Sequence, residues 1–209
     1  MKIVLCASGP VSDFFAPAAD YYIGVDRGAL TLLSHGIVPN EMIGDFDSVT
    51  EEEFAQLSAK IAKVERVSSI KDETDTDLAL QKAILMQPDM IYVTCVTGGR
   101  LDHQEAVLRA VRRFQMQHIN IEIYIVNPHN TMRFLPAGTH ALQKDHYQYV
   151  SFFAVDERID AVTLSGVKYE TDKVPMPYEC TLFTSNEIIA HDASISISNG
   201  ICLMIKSND

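Results

Sequence analysis

Aspartate falls in clusters along this chain. Asp26 sits in the segment Gly24-Val25-Asp26-Arg27-Gly28, and Asp45 and Asp47 flank Phe46 in Gly44-Asp45-Phe46-Asp47-Ser48. Asp72, Asp75 and Asp77 crowd into residues 71–77 (KDETDTD), and Asp102 follows Gly98-Gly99-Arg100. Carboxylates brought together repel, and one of them is driven to hold a proton unless a cation sits between them. Alternate residues of an extended segment point the same way, so Asp45-Phe46-Asp47 would aim two carboxylates at one ion. A donor set of oxygens, with little nitrogen or sulfur, suits Mg²⁺, which completes its shell with water and substrate phosphates. A lone Asp at a helix start is often only a cap, and Asp72, Asp77 and Asp102 each admit that reading.

Thr97-Gly98-Gly99-Arg100 supplies the complementary anion-binding chemistry. Two glycines after an apolar strand let backbone N–H groups approach a phosphate closely. The helix that follows adds a favourable dipole end, and Arg100 adds a fork of donors. Arg27 and Lys71 stand beside acidic motifs and suit either a phosphate or a local ion pair. His103 lies one turn into the same region and suits either a ligand contact or plain helix surface. The formal net charge of −11 repels nucleic acid and anionic membrane. A polyphosphate can still enter such a cleft when Mg²⁺ accompanies it.

These motifs need a frame. Residues 2–8, 21–26, 64–68, 90–97 and 121–126 read as strands, alternating with helical patterns at 28–35, 50–63, 74–86 and 102–117. Thr50 and Glu53 have capping-box spacing, and Phe54, Leu57 and Ile61 share a helix face. Alternating strands and helices predict a doubly wound, mostly parallel sheet, with ligands outside the carboxyl ends of its strands, where every acidic motif falls. After Asn127 the pattern becomes short strands, at 132–142, 147–155, 161–169, 180–184, 188–198 and 201–206. They are separated by turn residues such as Gly138, Gly166 and Asn199-Gly200. The expectation is an α/β domain over 1–127 and a small all-β sandwich over 128–209. In its last strands Ile195, Ile197 and Ile201 are expected to face inward, and Ser194, Ser196 and Ser198 outward or toward a partner.

The four cysteines show no C-x-x-C pairing and read as reduced thiols, buried where they lie in strands. The N-terminus lacks the long apolar run of a secretory signal, and no stretch approaches the ~20 apolar residues of a membrane span. A cytoplasmic location is the expectation.

Taken in order, residues 24–28 (GVDRG), 44–48 (GDFDS), 71–80 (KDETDTDLAL) and 97–103 (TGGRLDH) resemble the thiamin pyrophosphokinases. Residues 184–187 (TSNE) and 198–201 (SNGI) look like that family's ending. The resemblance implies an N-terminal domain that binds ATP and Mg²⁺, a C-terminal β-sandwich, and a homodimer with thiamin held between subunits. It implies that Asp45, Asp47 and Asp75, with Asp26, surround Mg²⁺ and the transferring phosphates. Arg27, Ser48, Lys71, Asp72, Thr97, Gly98, Gly99, Arg100, Asp102 and His103 would belong to the nucleotide region, with Lys71 and Arg100 neutralising phosphate. Ser185 and Asn186 would line the thiamin pocket. The implied reaction is attack of the thiamin hydroxyl on the β-phosphorus of ATP, with AMP leaving and Asp75 or Asp47 accepting the proton. A diphosphokinase for another alcohol such as a hydroxymethylpterin, a nucleotide-sugar glycosyltransferase and a non-catalytic nucleotide sensor are the competing readings.

Overall fold

The structure, a computed structural model, describes residues 1–68 and 73–209. The chain divides into two compact units, Met1–Pro128 and His129–Asp209.

Among the described residues of the first unit, six strands pair in parallel in the order β6-β5-β1-β2-β3-β4. They are β1 (Lys2–Cys6), β2 (Tyr21–Val25), β3 (Glu41–Gly44), β4 (Lys63–Arg66), β5 (Met90–Thr94) and β6 (Glu122–Val126). The helices between them are α1 (Gly28–Ser34), α2 (Glu51–Lys60), α3 (Asp75–Leu85) and α4 (Leu101–Gln117). The expected parallel α/β architecture is the one found. Ile3, Leu5, Ile91, Val93 and Ile123 of the central strands are wholly buried, as a sheet covered on both faces requires. The edge strand β4 (Lys-Val-Glu-Arg) is exposed throughout, and its charges protect the open edge.

Local sequence sets the helix ends. The Thr50 hydroxyl accepts from the Glu53 N–H while the Glu53 carboxylate accepts from the Thr50 N–H, a complete capping box for α2. Thr74 caps α3 through the Asp77 N–H. At the far end of α4, the buried Gln115 donates to the Ile121 carbonyl at 2.7 Å and accepts from the Ile123 N–H at 2.9 Å, fastening that helix to β6. Arg113 of α4 reaches Asp77 of α3 at 2.5 Å, so the two helices that flank the glycine loop are tied together.

The second unit is all-β: β7 (Asn130–Ala141), β8 (Tyr149–Ala154), β9 (Arg158–Ser165), β10 (Thr171–Pro177) and β11 (Ser194–Ser207). All its ladders are antiparallel. The long β11 pairs with β7 along most of its length; its first half also pairs with β9 and its second half with β8. The two strands expected at 188–198 and 201–206 are thus largely one, interrupted by a register shift between Ile197 and Ile201. That shift changes which residues face the core. Ile195 and Ile197 are buried as expected, but beyond the bulge Cys202 and Met204 take the inward positions and Ile201 is only half-buried. Across the shift β11 advances from Ile197 to Ile201 while β7 moves only from Gly138 to Pro136, and the irregular stretch changes which positions face the core. The segment 180–184 is turn rather than strand, although Phe183 is buried within it. The strand β10 was not foreseen.

Candidate functional site

Chain direction fixes where the site forms. From β1 the chain proceeds outward to β2, β3 and β4, then returns to the other side of β1 with β5 and β6. Between β1 and β5 the connections diverge, and the loops leave a crevice at the carboxyl ends of the strands. A cleft of about 590 Å³ lies there, wholly within the first unit. Its walls come from Ala7–Val11 after β1, Val25 and Asp26 at the end of β2, and Thr74–Thr76 at the start of α3. Cys95–Thr97, Gly99 and Arg100 after β5 and His103, Ala106 and Val107 on α4 complete it. Of the first of these segments, the sequence reading covers only the end of the strand at 2–8. A glycine directly after the first strand of such a sheet was the available signal.

Asp26, Asp45 and Asp75 converge, each half-buried, with one oxygen from each within 4.8 Å of the others. Register explains the first pair. Val25 lies opposite Ile43, so Asp26 passes Gly44 and Asp45 as both chains leave the sheet. The Asp26 carboxylate fills the space beside Gly44, where an added Cβ would stand 1.8 Å from Oδ1, so any larger residue at 44 must displace that carboxylate. Asp26 Oδ1 also accepts from the Phe46 N–H at 3.2 Å. Asp75 arrives from the first turn of α3. Burial, the Asp75 and Asp45 charges and a hydrogen bond with Asp75 push the Asp26 carboxyl up to about 7, against the lowering effect of the Phe46 N–H. Such a group lacks counter-charge.

The segment Asp45-Phe46-Asp47 is not extended. Phe46 has φ 59, its ring is buried against Phe54, and the Asp47 N–H donates to Asp45 Oδ1 at 3.1 Å. The turn separates the two carboxylates: Asp45 joins the group of three, and Asp47 lies exposed outside it. Asp26 and Cys95 also have positive φ, 47 and 58, so backbone strain gathers where three loops meet the cleft.

On the anion side, Gly98 has φ 74, a conformation costly for any residue with a Cβ. The Thr97 hydroxyl donates to Asp13 and accepts from Asn127 Nδ2 at 2.9 Å, so its hydrogen is already engaged. Arg100 grips Asp102 through Nε at 3.1 Å and Nη2 at 2.5 Å, and this contact holds the Asp102 carboxyl down at about 2. Arg100 is exposed and lines the cleft beside His103 and the uncapped start of α4. Arg27 is engaged elsewhere. It holds both oxygens of Glu53 at 3.1 Å and the Ser48 carbonyl at 2.8 Å, fastening the Gly44–Ser48 loop to α2. Ser48 is exposed on that loop. Lys71 and Asp72 lie outside the described residues.

In the second unit, Ser185 is exposed with φ 53, and its N–H donates to Ser151 Oγ at 2.9 Å. Asn186 is 3% exposed. Its carboxamide oxygen accepts from the Tyr169 and Glu187 N–H groups and its nitrogen donates to the Tyr169 carbonyl, so it serves as a backbone tie. No helix among the described residues is long and apolar enough to cross a membrane.

The comparisons agree with this division. Residues 15–125 match the family model "Thiamin pyrophosphokinase, catalytic domain", and residues 139–202 match "Thiamin pyrophosphokinase, vitamin B1 binding domain". The chain is 37% identical over 189 residues to a thiamine pyrophosphokinase of Bacillus subtilis, covering 90% of this chain and 87% of that one. A crystal structure of thiamine pyrophosphokinase from Bacillus subtilis superposes over 100% of both chains with a TM-score of 0.90 at 35% identity. One from Geobacillus thermodenitrificans does so over 100% of this chain and 98% of its own, with a TM-score of 0.89 at 33% identity. With both domain types present in order and the likeness running the full length, the chain belongs to the thiamin pyrophosphokinase family.

Proposed function

We propose that the cleft residues divide the family's reaction, transfer of diphosphate from ATP to the thiamin hydroxyl, between cation binding and phosphate binding. The observation that carries this reading is the meeting of Asp26, Asp45 and Asp75 beside a glycine loop at the switch point of the sheet. Three oxygen donors, one of them pushed up to about 7 by its neighbours, fit a hard divalent cation. Mg²⁺ bound there would neutralise phosphate oxygens and stabilise the departing AMP. Arg100, the Gly98 and Gly99 amides and the first turn of α4 hold the triphosphate by charge and N–H donors. Diphosphate transfer depends mainly on such alignment and charge neutralisation. Asp47 accepts the proton of the attacking hydroxyl: its carboxylate has no partner among the described residues, whereas Asp75 is committed to the group of three.

Ser185, on its strained and exposed turn, contacts thiamin, and Asn186 holds that turn in shape. The protein works as a homodimer. Tyr169, Tyr178, Leu182 and Ile189 of the second unit are all more than half exposed, apolar surface that a partner copy would cover. Sedimentation velocity at micromolar concentration tests that point, and a monomer would remove it.

Incubation with ATP, Mg²⁺ and thiamin, followed by chromatography, tests the reaction. Equal amounts of AMP and thiamin diphosphate, lost with EDTA, are expected. ADP in place of AMP would exclude diphosphate transfer. In the same assay Asp45→Asn is expected to lower turnover at least ~10²-fold. Asp47→Asn is expected to lower kcat without weakening nucleotide binding, and unchanged kcat there would remove Asp47 as the base.

A further inference from the structure

Asp13 stands behind the cleft rather than in its wall. It ends the 3-10 turn Val11–Asp13 that follows β1. Its backbone is pinned to β5, since the Thr94 hydroxyl donates to the Asp13 carbonyl at 3.2 Å and accepts from the Phe15 N–H at 3.0 Å. The Asp13 N–H donates to the Pro10 carbonyl at 3.0 Å, and the Gly9 N–H to the Cys95 carbonyl at 2.9 Å. The side chain is thereby fixed from below. One carboxylate oxygen accepts the Thr97 hydroxyl, and both face the side of Gly98 where an added Cβ would meet them at 3.1 and 3.3 Å. Asn127 donates into the same Thr97 hydroxyl at 2.9 Å, completing a polar chain from Asn127 through Thr97 to Asp13.

We infer that Asp13 is a positioning residue, its carboxylate setting the curvature of the Thr97–Arg100 loop so that the loop amides and Arg100 face a triphosphate; this rests on the nucleotide reading of the cleft. A carboxylate touching an anion would oppose binding, but one spent on Thr97 and outside the cleft lining stiffens the loop without meeting the phosphates. The loop contains Gly98 and Gly99, which lose much conformational freedom on ordering. A fixed anchor before them lowers what binding must supply.

The test compares the parent with Asp13→Ala, Asp13→Asn, Thr97→Val and the Asp13→Ala/Thr97→Val pair. Three readouts are taken: thermal midpoint, hydrogen exchange at the 98–100 amides without nucleotide, and affinity for a non-hydrolysable ATP analogue with Mg²⁺. Asp13→Ala is expected to speed exchange at 98–100 and to weaken the analogue about tenfold. Asp13→Asn, whose amide oxygen still accepts from Thr97, is expected to restore most of both. The double variant is expected to be no worse than Thr97→Val, because both act through one contact. A lower midpoint with unchanged affinity would make Asp13 merely structural and overturn the inference, as would unchanged exchange in Asp13→Ala. Faster exchange in a chain whose parent binds no nucleotide would instead sink the nucleotide reading, and the positioning role with it.

Discussion

Asp26→Asn separates what the carboxylate group costs the fold from what it gives the reaction. Asparagine tolerates the left-handed backbone at this position, φ 47, and its amide oxygen can still accept from the Phe46 N–H. The substitution therefore removes a charge and little else. In the parent the Asp26 carboxyl is raised from 3.8 to about 7, chiefly by burial and the Asp75 charge. The folded state thus binds this proton more tightly than the unfolded chain. The stability linked to it is fully present below about pH 4, falls as pH rises toward about 7, and is absent above that. At about 1.4 kcal/mol per unit the raise corresponds to about 4 kcal/mol at most. Asp26 is only half-buried, and solvent screening reduces the expected cost to about 1–2 kcal/mol. Without metal, Asp26→Asn is expected to be more stable than the parent by that amount at about pH 8, and nearly equal to it at about pH 4. Urea unfolding at both pH values, with and without Mg²⁺, measures the difference. Mg²⁺ is expected to stabilise the parent more than the variant, while the variant loses turnover. A variant no more stable than the parent at about pH 8, or a difference independent of pH, would refute the account of strain at this site.

Two further substitutions probe what holds the carboxylates. Gly44→Ala would place a Cβ 1.8 Å from Asp26 Oδ1, on a backbone at φ 156, so the Asp26 carboxylate must move; a loss of about 2 kcal/mol or more in urea unfolding, with weakened Mg²⁺ binding, is expected. Thr50→Ala removes the side-chain acceptor for the Glu53 N–H at the start of α2 and is expected to cost about 1 kcal/mol. Its kcat is expected to be unchanged, because Arg27 still ties Glu53 to the Ser48 carbonyl, and a large fall in kcat would show that the cap itself sets the Asp45 loop.

What the sequence made legible followed from chemistry that local spacing encodes. The capping box at Thr50 and Glu53, the buried run of β5 and the glycine loop before α4 are all settled by near neighbours. The composition of the carboxylate group is not. Asp26 meets Asp45 because β2 lies beside β3 in a particular register, and the 18 positions between them carry no trace of that pairing. Asp47 seemed a natural partner for Asp45 on the premise of an extended chain, but burial of Phe46 against Phe54 takes that residue to φ 59 and turns the premise aside. The same contest hid β10, whose sequence Thr-Asp-Lys-Val-Pro-Met-Pro holds two prolines and little apolar surface. As a strand with β9 as its main ladder partner it can carry prolines where no ladder donor is needed, and only Met176 of it is fully buried. In the second unit the bulge before Ile201 then reverses the facing of everything beyond it, which an alternation read through Ser198-Asn199-Gly200 could not anticipate. In each case the deciding quantity was a pairing or a packing contact made across the fold. Residue type says which groups a cation or a phosphate will select, and strand register says which of them can arrive together.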